Sequence, residues 1–355
     1  MAKQKPGARE GREAGAPERG EIPTNNTGVV PLTGVSSDEH EPQLEVEADA
    51  AVDETETVVA PTKVRVNSGA PDALPDGPIL DPESLPAATE GEGRPLALPA
   101  VLAIANQKGG VGKTTTAVNL SAALAEIDFR VLVIDLDPQG NASTGLGLNP
   151  RDVTASIYDV LLQSVPIEDC VEPTAIKNLF VVPATIDLAG AEIELVPQIS
   201  RELKLKKAID AVRDQYDLIV IDCPPSLGLL TVNGLAAADG VVVPIQCEYY
   251  ALEGLGQLLR NVSLVQANLN PELDVHGIIL TMYDARTKLA DQVESEVRGY
   301  FGAKVYKTVV PRTVRLSEAP SFGQPIIVFD STSRGAKAYR ALAKEVSRGA
   351  SRRTG

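Results

Sequence analysis

Two lysines five positions apart enclose three glycines in the run Lys108-Gly109-Gly110-Val111-Gly112-Lys113-Thr114-Thr115. Glycine lets backbone N–H groups turn toward an anion with no Cβ in the way. A helix starting at Lys113 adds about half a unit of positive charge at the same spot. Lys113 is then placed to reach the β and γ phosphates of a nucleotide. The Thr114 hydroxyl is placed to hold Mg²⁺. The plain pattern G-x-x-x-x-G-K-[ST] fails, because its first glycine falls on Gln107. Lys108 is an additional cation in its place. Two readings of it stay open: a solvated loop lysine, or a second charge aimed at a nucleotide, including one held by another subunit.

Three aspartates follow strand-like apolar runs. Asp222 closes Leu218-Ile-Val-Ile and reads as a carboxylate that orients Mg²⁺ through a coordinated water. Asp135 and Asp137 close Val131-Leu-Val-Ile and precede a turn at Pro138. Asp137, beside the turn, is the candidate for positioning the attacking water, and Asp135 for supporting the Mg²⁺ shell. Each of the three also has a plainer reading, a carboxylate that caps a strand end. Transfer of a phosphoryl group to water asks for positioning and charge neutralisation more than covalent chemistry. A lysine supplied in trans, in the manner of an arginine finger, gives Lys108 a use.

Strands are expected at 101–105, 131–135, 179–183, 218–222, 240–246, 277–282 and 305–310. Helices are expected at 113–126, 157–163, 199–215, 252–269, 290–299 and 335–347, with a helix also between 227 and strand 240–246. Residues 311–325 read as a loop. Continuous Val, Ile and Leu strands alternating with helices predict an α/β fold, a mostly parallel sheet with helices on both faces. Ligands of such sheets sit at the carboxyl ends of the strands, where the glycine loop and all three aspartates fall.

Composition divides the chain of 355 residues. Residues 1–99 hold 13 of the 26 prolines, no aromatic residue and a net charge of −11. So polar a stretch is predicted to be a disordered extension, since it cannot bury a core. Residues 100–347 form the predicted catalytic domain, and 348–355 a short, basic, flexible tail. The core carries only −4 of the total −15, so an anionic partner is not excluded. Three scattered cysteines and two histidines argue against a disulfide frame, a metal knuckle or triad chemistry. No secretory signal and no uninterrupted apolar run of membrane-spanning length is visible.

The ordered set Asn106-Gln-Lys-Gly-Gly-Val-Gly-Lys-Thr-Thr-Thr116, Asp135-Leu-Asp-Pro-Gln-Gly-Asn141, Asp222-Cys-Pro-Pro-Ser226, Gln246-Cys-Glu-Tyr-Tyr-Ala-Leu-Glu-Gly254 and Pro311-Arg-Thr-Val-Arg-Leu-Ser-Glu-Ala-Pro320 resembles the chromosomal ParA (Soj-like) partitioning ATPases. These are P-loop NTPases with a deviant Walker A loop. The resemblance spans about 100–347 and implies several properties. The chain would bind ATP with Mg²⁺ and close into a nucleotide-sandwich homodimer. That dimer would bind DNA without sequence specificity. A ParB-type centromere-binding partner would stimulate hydrolysis. The setting would be cytoplasmic and nucleoid-associated, without membrane insertion. In the same terms Lys108 is the signature lysine, Lys113 the P-loop lysine and Asp137 the hydrolytic aspartate. The segment from Pro311 would lie against adenine, with Thr313 where relatives often carry Asn. Arg286 and Arg315 match positions used for DNA phosphates, within a last quarter rich in Lys and Arg. The competing readings are a MinD-like ATPase cycling on a membrane or pole scaffold, and a reductase or ATP-dependent synthetase on the same fold.

Overall fold

The computed structural model describes residues 100–248 and 251–348. The extension at 1–99 and the tail, apart from Arg348, lie outside the described residues. The chain enters at β1 (Val101–Ile104) and passes through α1 (Lys113–Glu126) to β2 (Val131–Asp135) and α2 (Asn141–Gly145). It then forms a short π-helical turn (Asp159–Gln163), β3 (Glu172–Pro173), β4 (Leu179–Val182), α3 (Leu188–Glu194) and α4 (Lys204–Val212). Next come β5 (Leu218–Asp222), α5 (Leu229–Ala237), β6 (Gly240–Gln246), α6 (Ala251–Asn268) and β7 (Asp274–Tyr283). The chain closes with α7 (Lys288–Phe301), β8 (Val305–Pro311), α8 (Val314–Glu318), α9 (Ile326–Phe329) and α10 (Arg334–Val346).

The sheet has eight strands in the order β3-β4-β2-β5-β1-β6-β7-β8. Every pairing is parallel except β3 with β4. The strands are apolar throughout because both faces are covered. Alternate residues of β1 feed opposite cores: Val101 and Ala103 pack beneath α4 to α7, and Leu102 and Ile104 beneath α1 and α10. The central strand β1 has β5 on one side and β6 on the other, so the chain reverses direction across the sheet there. A crevice opens at such a switch point.

Four expectations change. The helix at 199–215 is interrupted: Ser200 takes a left-handed conformation, and only Lys204–Val212 is α-helical between two 3₁₀ turns. Its charge pattern is helical throughout, but the buried side chains Leu205, Ile209 and Val212 fix only two turns on the sheet. The loop at 311–325 contains α8 and a 3₁₀ turn. Thr313 starts α8 by accepting the Leu316 N–H at 3.3 Å, a cap hidden by the prolines around it. The turn expected after Asp137 continues into α2, and α3 arises where irregular chain was expected.

Candidate nucleotide site

The glycine loop is held from three sides. Gly110 and Gly112 adopt φ of +75° and +89°, which a Cβ resists. Gly112 caps α1 with no side chain over the helix end, so the first N–H groups of α1 remain open. Buried Asn106 donates to the Pro244 carbonyl at 2.7 Å and accepts the Lys108 N–H at 3.1 Å. On the other flank the Thr281 hydroxyl lies 2.8 Å from the Val111 carbonyl and 3.1 Å from that of Ile245. The loop is therefore tied to β6 and β7. Gly109 and Gly110 have open space beside them.

The two lysines part company. Lys113 is buried, and its Nζ donates to the Lys108 carbonyl at 3.2 Å. Burial pulls its pKa below the ordinary lysine range, while the charges of Asp222 and Asp137 push it back up. It is a desolvated cation facing carboxylates. Lys108 is less buried: its Nζ lies 3.9 Å from a carboxylate oxygen of Glu248, and about a third of its side chain is exposed.

Asp135 and Asp222 end adjacent strands and face each other in register. Both are fully buried. Asp135 is well supplied, accepting the Ser143 N–H at 2.8 Å, the Ser143 hydroxyl at 2.7 Å and the Asp137 N–H at 3.3 Å. Burial nevertheless raises its pKa to about 6 against those bonds. Neither oxygen of Asp222 has a hydrogen-bond partner among the described residues. Burial and the Asp135 charge push Asp222 well above the usual carboxylate range. The Thr114 side chain beside it works in the other direction without reaching full hydrogen-bond geometry. A buried carboxylate with both oxygens unmet calls for a cation or its water shell. Thr114, Asp222 and the supporting Asp135 thus fit a Mg²⁺ site, and the remaining ligands would come from phosphate and water. Asp137 is buried in the turn beyond β2, where it accepts the Gln139 N–H at 3.0 Å.

Alongside the loop lies a cavity of about 410 Å³ lined by Gly112, Thr115, Thr281, Met282, Val310, Pro311, Arg312, Thr313, Leu316, Ser317, Pro320 and Tyr339. Pro311 and Thr313 both reach it, as does Thr115 from α1. Its lining is about half apolar and half polar, and it is contiguous with the phosphate loop through Gly112, which suits a flat heterocycle with polar edges. Arg286 and Arg315 stand apart from this crevice. Arg286 is almost fully exposed and grips Asp284 with two bonds of 2.8 and 2.6 Å. Arg315 is shared between Glu318 at 3.1 Å and Asp330 at 3.5 Å, with Phe329 beneath it.

Asn106, Ser143 and Thr281 are the positioning groups that sequence reading passes over. The only sequence signal is that polar residues interrupt otherwise apolar surroundings.

Comparison with known proteins follows the same outline. A family profile described as "AAA domain" matches residues 99–275. The sporulation initiation inhibitor protein Soj of Bacillus subtilis is 62% identical over 246 residues, covering 69% of this chain and 97% of that protein. A solved structure from Mycobacterium smegmatis, described as cobyrinic acid a,c-diamide synthase with bound ADP and magnesium, has a TM-score of 0.61 at 43% identity. It matches 69% of this chain and 92% of its own. The septum site-determining protein MinD of Pyrococcus horikoshii, complexed with Mg-ADP, has a TM-score of 0.57 at 27% identity, over 69% of this chain and 95% of its own. With the glycine loop, the paired aspartates and the second loop lysine all lying within the matched span, the chain belongs to the ParA/Soj family of chromosome-partitioning P-loop ATPases.

Proposed function

We propose that this chain is a Mg²⁺-dependent ATPase that segregates DNA by cycling between an ATP-bound homodimer on DNA and a released form. The observation that carries the reading is the division of labour between the lysines. Lys113 is buried against Asp222 and Asp137, whereas Lys108 is partly exposed, with its Nζ 3.9 Å from Glu248. A partly exposed cation beside a phosphate loop has work to do when a second nucleotide-bound copy faces it.

In this reading the open N–H groups of α1, the glycine backbone and Lys113 hold the β and γ phosphates. The adenine occupies the cavity against Pro311 and Thr313. The Thr313 oxygen accepts the Leu316 N–H in capping α8, which leaves its O–H to donate toward the base. Thr114 and Asp222, with Asp135 behind, would hold Mg²⁺, which would supply charge neutralisation at the phosphates. Asp137 accepts a hydrogen bond from the attacking water and aligns it with the γ phosphorus. The water oxygen bonds to that phosphorus and the bond to the bridging oxygen breaks, so that one water proton stays on the phosphate, the other passes to solvent, and ADP and hydrogen phosphate leave. The partner's copy of the second loop lysine adds charge to the γ phosphate, so hydrolysis waits for the dimer.

DNA binding by Arg286 and Arg315 requires each guanidinium to exchange its carboxylates for phosphates. Both arginines are exposed enough to do so. A ParB-type partner accelerates hydrolysis and releases DNA, and the cycle runs on the nucleoid in the cytoplasm. A MinD-like cycle on membrane is disfavoured by α10. Its apolar residues Ala336, Tyr339, Leu342, Ala343 and Val346 are buried in the core rather than free to insert.

DNA binding measured with ATP, ADP or no nucleotide tests the scheme. ATP should promote salt-sensitive binding that Lys108→Ala loses. Equal binding in all three states overturns the proposal. Asp137→Ala should leave an ATP-bound dimer trapped on DNA with turnover abolished.

A further inference from the structure

The segment from α3 into α4 carries a surface that the nucleotide cycle does not use. Ile193 is 77% exposed, Val196 52% and Ile199 90%. Ile199 lines a groove of about 460 Å³ whose wall also includes Leu203, Lys204, Lys206 and Lys207, and Ile193 and Val196 precede it in the same segment. Asp210 is the one acidic residue in that wall. Among the described residues none of the three lysines forms an ion pair.

The face is built rather than frayed. Fully buried Asn233 of α5 accepts the Leu205 N–H at 3.2 Å and donates to the carbonyls of Arg201 at 2.8 Å and Leu229 at 2.9 Å. Arg201 in turn donates to the Val196 carbonyl at 2.6 Å. The chain beside the groove is therefore pinned to α5 at Arg201 and Leu205. The apolar face of α4 itself, Leu205, Ile209 and Val212, is already in the core, so the exposed aliphatics are surplus to folding.

We propose that this groove docks an acidic segment of a partner protein that carries aliphatic side chains beside its carboxylates. Three unpaired ammonium groups beside an exposed isoleucine ask for that combination: carboxylates give orientation and aliphatic groups give burial. Other occupants fit less well. A bilayer is flat and leaves a concavity unfilled. DNA phosphates gain nothing from exposed isoleucine and are repelled by Asp210. A second copy using the same face in a two-fold contact brings lysines against lysines.

The test uses the full chain and a short fluorescein-labelled peptide of alternating Glu and Leu, with a Gln/Leu peptide as control, read by fluorescence anisotropy. The Glu peptide should bind and the Gln peptide should bind far less. Lys204→Glu combined with Lys206→Glu and Lys207→Glu should weaken binding by about tenfold or more. The corresponding triple alanine variant should weaken it less, and Ile199→Ser should weaken it independently of salt. ATP turnover without peptide should stay at the wild-type level in all of them. A wild-type chain without turnover would bear on the proposed ATPase cycle and leave the groove's result readable. Equal binding of the two peptides, or unchanged binding by the triple variants, overturns the proposal. So does loss of ATP-dependent self-association in Ile199→Ser, which would assign the groove to a second copy. Lysine-dependent sedimentation with phosphatidylserine vesicles in the absence of peptide binding would assign it to membrane, and also overturns it.

Discussion

Asp135 and Asp222 stand side by side with unequal supplies of hydrogen bonds, and the inequality explains their division of work. Ser143 gives Asp135 both its N–H and its hydroxyl, and its oxygen also accepts the Ala184 N–H at 3.1 Å. Ser143→Ala should therefore cost about 1–3 kcal/mol, because it strips a buried carboxylate of one partner and leaves a buried N–H unmet. Urea unfolding of the nucleotide-free protein measures this. His276 provides a pH handle elsewhere. Burial lowers its pKa to about 4, against a small upward pull from Asp274. Between about pH 4 and 6.5 the unfolded imidazole holds a proton that the folded one lacks. Its contribution is thus fully present above pH 6.5 and is lost as pH falls toward 4. His276→Gln should lose about 2 kcal/mol less stability than wild type on acidification across that window, as read from denaturation midpoints. A parallel loss in both proteins would remove His276 from the account. At this scale the sequence reveals what is local. Glycines beside a lysine, and a carboxylate after four apolar residues, are patterns within one short segment. Asn106 and Thr281 act across separations of 138 and 170 residues, so nothing in their own neighbourhood marks them.

At the scale of elements, the strands were legible because burial on both sheet faces leaves continuous apolar runs. The short helices were not, since α2, α8 and α9 have five, five and four residues and no room for a periodic pattern. Tertiary contacts specify them instead. Gly147, beyond α2, and Gly323, after α8, adopt φ of +93° and +61° and meet backbone to backbone. A Cβ on Gly323 would stand 3.3 Å from both the Gly147 Cα and the Thr144 carbonyl. One on Gly147 would stand 3.2 Å from the Gly323 carbonyl. The segment that follows Asp137 is thereby packed against the segment that lines the cavity beside Gly112. Gly323→Ala should destabilise the protein by about 1–3 kcal/mol through left-handed strain and the close approach together. Gly147→Ala should do the same. The double variant should fall short of the sum, since the first substitution already opens the contact. Thermal melts of the three variants provide the cycle, and strict additivity would separate the two glycines.

At the scale of the whole molecule, charge is unevenly spread, and this bears on any polyanion the chain meets. Residues 1–99 carry a net −11 and the remainder only −4. If Arg286 and Arg315 meet DNA as proposed, fixed negative charge on the same chain raises the cost of that approach wherever it comes within a Debye length, about 10 Å at 0.1 M salt. Removing residues 1–95 should therefore tighten ATP-dependent DNA binding at low salt. The gain should shrink as salt rises, and ATP affinity should be unaffected because the phosphate loop and its anchors all lie beyond Val101. Arg286→Ala acts differently. On the proposed reading it removes a phosphate contact, so it should weaken binding to every DNA sequence alike and lower the slope of log affinity against log salt by about one. Measured together, the two variants distinguish long-range repulsion from contact. The truncation shifts affinity in a salt-dependent way without deleting a phosphate contact, and the substitution changes the number of counterions released. A truncated chain that binds DNA no better than the full chain at low salt would mean that the acidic extension is electrostatically remote from the DNA face. An unchanged slope in Arg286→Ala would mean that its guanidinium stays with Asp284 when DNA binds.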